Sequence, residues 1–152
     1  MKLASSGALY SGNPKKFQDY PSFEEDVLAM ADGIVREVVD GVHDSQIGID
    51  NPFGGAGNTM IIDHGRGEYS TFVHLKQGSI LVRPGDKVKR GQAIAKVGNS
   101  ASTIPHIHVQ LQNSGVLCAA DSLPFGFSDV IFNGQQAVLA YPKVGDSIEN
   151  NN

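Results

Sequence analysis

The stretch NTMIIDHGRGEYSTFVHL, Asn58 to Leu75, decides the architecture of this chain. Its halves, NTMIIDHG and EYSTFVHL, flank Arg66-Gly67 and read as a β-hairpin: two apolar-rich runs separated by a glycine turn. Outward from it the same grammar repeats. DVLAMADGIVREVVDG upstream alternates well enough for two short strands around the turn at Asp32-Gly33. The intervening VHDSQIGIDNPFGGAG is rich in Gly, Asp and Asn and reads as a loop. Downstream, GSILVRPGDKVKRGQAIAKVG is punctuated at Pro84-Gly85-Asp86 and at Gly91, and HIHVQLQN is a further strand. Gly33, Gly85, Gly91 and Gly98 are expected at turns that want positive φ.

No stretch holds a 3.6-residue apolar period over three turns. Many short strands between Gly/Pro turns predict an all-β fold. The expected organisation is a flexible N-terminal segment over residues 1–22, a β domain over 23–148 and a frayed tail over 149–152, with further short strands in LPFGFSDVIFNGQQAVLAYPKVGDSIE. RPGDKVKRG and YPKVGDSIE echo one another, a match short enough to arise by chance.

Bulk composition removes several function classes. With 152 residues the chain is long enough for a real core, and it is 40% hydrophobic and 18% charged. A net charge of −4 argues against a nucleic-acid surface, which wants a basic stripe. The single cysteine, Cys118, excludes an internal disulfide framework and reads as a small core residue. No run approaches the roughly 20 apolar residues of a membrane helix. MKLASSGALYSGNPKKF has apolar stretches too short for a signal peptide, which predicts a cytoplasmic protein if the chain is complete.

STIPHIHVQL, Ser102 to Leu111, places two histidines two residues apart. In an extended chain such residues share a face, so His106 and His108 aim together and Ile107 and Val109 aim away. Two neutral imidazoles side by side suit a metal, or a division between one ligand and one acid/base, or two hydrogen-bonded polar groups on a half-wet sheet.

Three pieces stand in order: ADGIV (Ala31–Val35), GNTMIIDHGRGEYSTFVHL (Gly57–Leu75) and VRPGDKVKRGQAIAKVGNSASTIPHIHVQL (Val82–Leu111). Together they resemble the M23 family of zinc metallopeptidases, the lysostaphin-like enzymes that cut peptide cross-links of peptidoglycan. The resemblance covers about residues 25 to 112. It implies an antiparallel β-sandwich of the duplicated hybrid motif type, a peptidoglycan or other peptide substrate, and usually work in the cell envelope. By the same resemblance His108 matches a zinc ligand, and His106 and His74 match the two catalytic histidines. Phe72 stands where the family usually has a tyrosine.

The first two zinc ligands of the family, a His-x-x-x-Asp element, belong upstream of ADGIV, and no histidine precedes Ala31. The acids there are Asp19, Glu24, Glu25 and Asp26. His43, Asp44 and Asp50 read as a solvated loop and His64 as a turn residue. One zinc ligand of three is therefore expected, from a truncated chain or a member that has lost its metal, and zinc binding should be poor. If a strand is missing, its neighbour presents an open edge and invites an edge-strand dimer. Two other readings stay open. One is a non-catalytic cell-wall-binding or regulatory domain on the same fold. The other is a biotinyl- or lipoyl-carrier-like module, suggested by VRPGDKVKRGQAIAKV and opposed by Asp32 where a carrier needs its lysine; Lys87, Lys89 and Lys96 would be the residues to inspect.

Overall fold

The computed structural model describes residues 2, 4, 6–49, 55–117, 119–143 and 145–150. Cys118 and Asp50 lie outside the described residues. The described residues form β1 (Asp26–Leu28), β2 (Gly33–Val39), β3 (Asn58–Gly65), β4 (Glu68–Leu75), β5 (Lys87–Val88), β6 (Ala93–Lys96), β7 (His108–Gln112), β8 (Phe127–Phe132), β9 (Gln135–Ala140) and β10 (Ile148–Asn150). The only helical piece among them is a 3₁₀ turn at Phe17–Asp19. Residues group into two compact units, Met1–Ser122 and Leu123–Asn152, where the sequence suggests one domain over 23–148.

In the first unit, β3 and β4 are the centre of a five-stranded antiparallel sheet in the order β5-β2-β3-β4-β7. Their two-residue connection, Arg66-Gly67, has positive φ at both positions (56° and 78°). Such turns match the right-handed twist of the flanking strands. Met60 stands opposite Phe72 and Ile62 opposite Ser70. Phe72, Met60 and Ile62 join Val35 and Val88 in one apolar cluster with Val27, Ala29, Ile94, Ala95 and Val97. The last five come from the two-stranded sheet β1-β6 and its flanks, which therefore forms the second layer over this face.

β1 and β2 are both present, but they do not pair with each other. β1 pairs with β6, and β2 runs between β3 and β5. The turn between them explains the split. Asp32 accepts from Lys89 Nζ (2.7 Å) and the Arg90 N–H (2.9 Å), while its carbonyl accepts from His64 Nδ1 (2.8 Å). The chain is thereby anchored to two neighbours and cannot close as a simple hairpin.

Gly85 and Gly91 have the positive φ expected of them; Gly33 and Gly98 do not. Those two are selected by close approach instead. A Cβ on Gly33 would lie 2.6 Å from the Asp63 carbonyl oxygen, and one on Gly98 would fall on the backbone of Lys76 and 2.6 Å from Asp44 Oδ1. Gly98→Ala is expected to cost about 1–3 kcal/mol, the usual penalty of forcing atoms into a packed site. A urea midpoint indistinguishable from the parent would show that the β6–β7 loop yields freely.

At the amino-terminal side, Tyr20 and Ser22 are buried although they fall within the segment expected to be flexible. In the second unit β8 and β9 form a hairpin through Asn133-Gly134, again with both φ positive, and β10 pairs with β8. The residues expected to begin a frayed tail, Glu149 and Asn150, thus stand in register with Ile131 and Val130. The sequence echo corresponds to one recurring turn. Asp86 Oδ2 accepts from the Arg83 N–H (2.8 Å) and Asp146 Oδ2 from the Lys143 N–H (2.7 Å), each across a positive-φ glycine.

Candidate active site

The site starts from an irregularity in the central hairpin. Asn58 pairs with Leu75 and Met60 with Phe72, so the single residue Thr59 faces two, Val73 and His74. This is a β-bulge, a device that re-aims a side chain. His74 carries it with φ of 63°, a region that His, Asn and Asp enter more readily than other side chains. On the far side of β4, Val73 stands opposite His108, the first residue of β7. The bulge brings His74 toward that end of the sheet.

His106 arrives differently from its expected place. It lies before β7 in irregular chain, so the shared face of a strand does not hold it. Its ring is held by its own loop: Nδ1 donates to the Ile104 carbonyl (2.9 Å), and Ser102 Oγ lies 3.2 Å from the same nitrogen. Behind it, Ser22 Oγ donates to the Pro105 carbonyl (2.7 Å), which docks the amino-terminal segment against this loop. The imidazole of His74 ends 4.9 Å from that of His106 and 6.3 Å from that of His108, between ring centroids. All three histidines are therefore neighbours.

His74 Nδ1 donates to the Ser100 carbonyl (2.9 Å). With Nδ1 protons committed to carbonyls, the neutral rings of His74 and His106 present Nε2 as the free basic nitrogen. Burial holds the pKa of His74 below the ordinary imidazole value; the Ser100 hydrogen bond acts the other way, and His106 and His108 add to the depression.

A stability prediction follows with a definite sign. The unfolded chain takes up a proton at His74 near about pH 6.5, and the folded chain resists it until lower pH. The unfolded state then binds more protons, so stability declines as pH drops through that window and levels off below the folded pKa. His74→Asn, which tolerates the same φ, should flatten this limb. Urea midpoints of both proteins between about pH 8 and about pH 5 check it; parallel curves would remove His74 as the cause.

The other described residues considered from the sequence as possible ligands are engaged elsewhere. His64 is committed at both nitrogens, to the Asp32 carbonyl and to Ser70 Oγ (each 2.8 Å). His43 Nδ1 meets Gln77 Oε1 (2.8 Å). Asp19 accepts from the Asn13 N–H (2.6 Å), while Glu24, Glu25 and Asp26 pair with Lys76, Lys2 and Lys96. Among the described residues no group of three or more His, Cys, Asp or Glu is arranged to hold a metal ion. A cavity of about 500 Å³ opens at the β2–β5 edge, lined by Asp32, Gly33, Asp63, His64, Lys87 and Lys89, with none of the three clustered imidazoles among its walls.

Comparison with known proteins assigns the relationship. The model of "Peptidase family M23" matches residues 19–119, more than half of the sequence. The chain belongs to peptidase family M23. It is similar to an uncharacterized metalloprotease of Haemophilus influenzae, 36% identical over 90 residues covering 59% of this chain and 16% of that protein. It is also similar to the peptidoglycan DD-endopeptidase ShyA of Vibrio cholerae, 44% identical over 57 residues covering 37% of this chain and 13% of that one. The chain thus spans about a sixth or less of the length of these two relatives. The solved structure of LytU shares the fold, with a TM-score of 0.50 at 22% identity, covering 76% of this chain and 81% of that one.

The M23 family implies zinc, and among the described residues no group of donors is arranged to hold it. The acids up to the start of β1, Asp19 and Glu24 to Asp26, are taken up by amides and lysines. Sequence reasoning missed the polar residues behind the imidazoles. Asn58, Asn99 and Ser100 are fully buried, and their only trace in the sequence is the repeated Gly-Asn pair at Gly57-Asn58 and Gly98-Asn99.

Proposed function

We propose that residues 19–119 are an M23-type peptidase domain directed at peptidoglycan cross-links or other glycine-rich peptides, with His108 as a metal ligand and His74 and His106 as acid–base groups. The observation that carries this reading is the clustering of the three imidazoles, two of them held with Nε2 free. Such a nitrogen accepts a proton from an attacking water and returns it to a leaving amine. The resemblance to ShyA supports peptidoglycan as substrate. Residues 1–152 offer one family zinc ligand, so this chain by itself is proposed to be metal-poor and to turn over slowly or not at all. No helix among the described residues is long and apolar enough to cross a membrane.

The test uses a form extended upstream by a His-x-x-x-Asp segment, incubated with zinc and purified peptidoglycan, with release of free amino groups as readout. His106→Ala should lower cleavage by about 10²–10⁴-fold while sedimentation with peptidoglycan persists. Equal cleavage by the variant would remove His106 from the chemistry.

A second reading, a non-catalytic cell-wall-binding or regulatory domain on the same fold, is favoured by one observation. The upstream acids are engaged away from the imidazoles. Binding to peptidoglycan without cleavage in the extended form would establish it. A carrier role is not supported: Lys89 and Lys96 are paired with Asp32 and Asp26, and β1 and β2 form no hairpin with each other. The edge-strand dimer is proposed through β7, which ends the five-stranded sheet and is bridged on its outer side at Gln112 to Ser122. A mass that stays monomeric by light scattering at high concentration would exclude it.

A further inference from the structure

We infer that Ser100 is a positioning residue for His74: its buried hydroxyl locks its own carbonyl onto the imidazole and thereby fixes which nitrogen faces His106 and His108. The inference rests on the proposed role of His74 for its functional meaning, but not for its test.

The lock consists of named bonds. Ser100 Oγ donates to the Leu75 carbonyl (2.7 Å) and accepts from the Asn58 N–H (2.9 Å). Both partners belong to the central hairpin, where they form the pair that bounds one side of the bulge bearing His74. Asn58 is itself tied down, donating through Nδ2 to the carbonyls of Val42 (2.8 Å) and Leu75 (2.9 Å) and accepting from the Val42 N–H (2.8 Å). Ser100 and Asn58 are both fully buried, so the network has no water to exchange with. A satisfied buried network is rigid because every alternative leaves an unpaired group in low dielectric.

The surroundings press the same carbonyl into place. Asp44 bridges to Ser100 in antiparallel fashion and accepts from the Asn99 N–H. Gly57 has φ of +67°, and a Cβ there would fall on the Ser100 carbonyl. The loop can thus lie against the hairpin only because Gly57 lacks a side chain. The carbonyl of Ser100 has one ring N–H to receive, that of His74 Nδ1. A carbonyl only accepts, so the proton sits on Nδ1 and the lone pair on Nε2. His106 reaches the same protonation pattern through Ile104, independently of Ser100.

That independence gives the experiment its internal control. In ¹⁵N-labelled protein at about pH 8, where imidazoles are neutral, long-range ¹H–¹⁵N spectra report the tautomer of each ring. The parent protein should show His74 and His106 both as unmixed Nδ1–H forms. In Ser100→Ala the two His74 nitrogen shifts should converge toward a mixed value while those of His106 stay put. Should Ser100→Ala fail to fold, Ser100→Cys carries the test, since it keeps the shape of the side chain with a somewhat larger atom and only a weak donor; partial convergence at His74 alone is then expected. A folded variant in which His74 remains unmixed, or in which His106 shifts as much as His74, overturns the inference. None of these readouts needs zinc or turnover, so an inactive protein leaves the test intact.

Discussion

Loaded with zinc and dialysed, residues 1–152 are expected to retain far less than one ion per chain. Catalytic zinc sites use about three protein ligands and keep a fourth position for water. With His108 as one of these, as proposed, an alliance with His74 or His106 adds at most one nitrogen whose ring is already oriented by a backbone carbonyl. Asp19 and the acids from Glu24 to Asp26 cannot turn inward without abandoning an amide or a lysine. Without a full ligand set, water keeps the high pKa of bulk water instead of falling to about 7. Cleavage of peptidoglycan peptides by this chain should therefore stay at background. A form carrying an upstream His-x-x-x-Asp segment should recover both the metal and the activity. Metal analysis beside a cleavage assay, on both forms, decides the matter. Stoichiometric zinc in residues 1–152 would mean that the described acids rearrange or that His43 or His64 gives up its hydrogen bonds to serve as a ligand.

Phe72→Ala should be the most destabilising single change in the hairpin, costing about 3–5 kcal/mol. Phe72 is only 1% exposed and lies in the cluster that joins the five-stranded sheet to β1-β6. Small domains are stable by about 5–15 kcal/mol, so the loss takes a large part of the margin. Urea unfolding should show the midpoint collapse. The family's usual residue at this position, tyrosine, should not be neutral here. Met60 and Val109 stand opposite Phe72 on the two neighbouring strands, and an added hydroxyl without a partner costs about 1–3 kcal/mol. A Phe72→Tyr protein as stable as the parent would mean that the ring's edge reaches water or a carbonyl, and that the tyrosine's place in the family is open to this chain too.

What the sequence by itself determined was local. Arg66-Gly67 between two apolar runs specifies a hairpin, and that hairpin appears with the register such a turn imposes. Glycine-aspartate turns recur because a positive-φ glycine and an aspartate accepting a backbone N–H make the same bend twice, at Gly85-Asp86 and Gly145-Asp146. The ordered motifs identified the family, and the resemblance named His74, His106 and His108 as its candidate site residues. Pairing partners were not legible, because β1 and β2 obey the same alternation whether they pair with each other or with β6 and β3. The choice is made by Asp32, held between Lys89, Arg90 and His64, contacts separated by dozens of residues in the chain. The placement of the imidazoles was equally a tertiary matter. A period of two predicts that His106 and His108 share a strand face, yet His106 stands before the strand and is aimed by Ile104, while a bulge opposite Thr59 aims His74. Bulges and buried networks such as Asn58–Ser100 leave almost no periodic signal. They arise where distant backbone groups must all find partners at once, and only the folded chain brings those groups together.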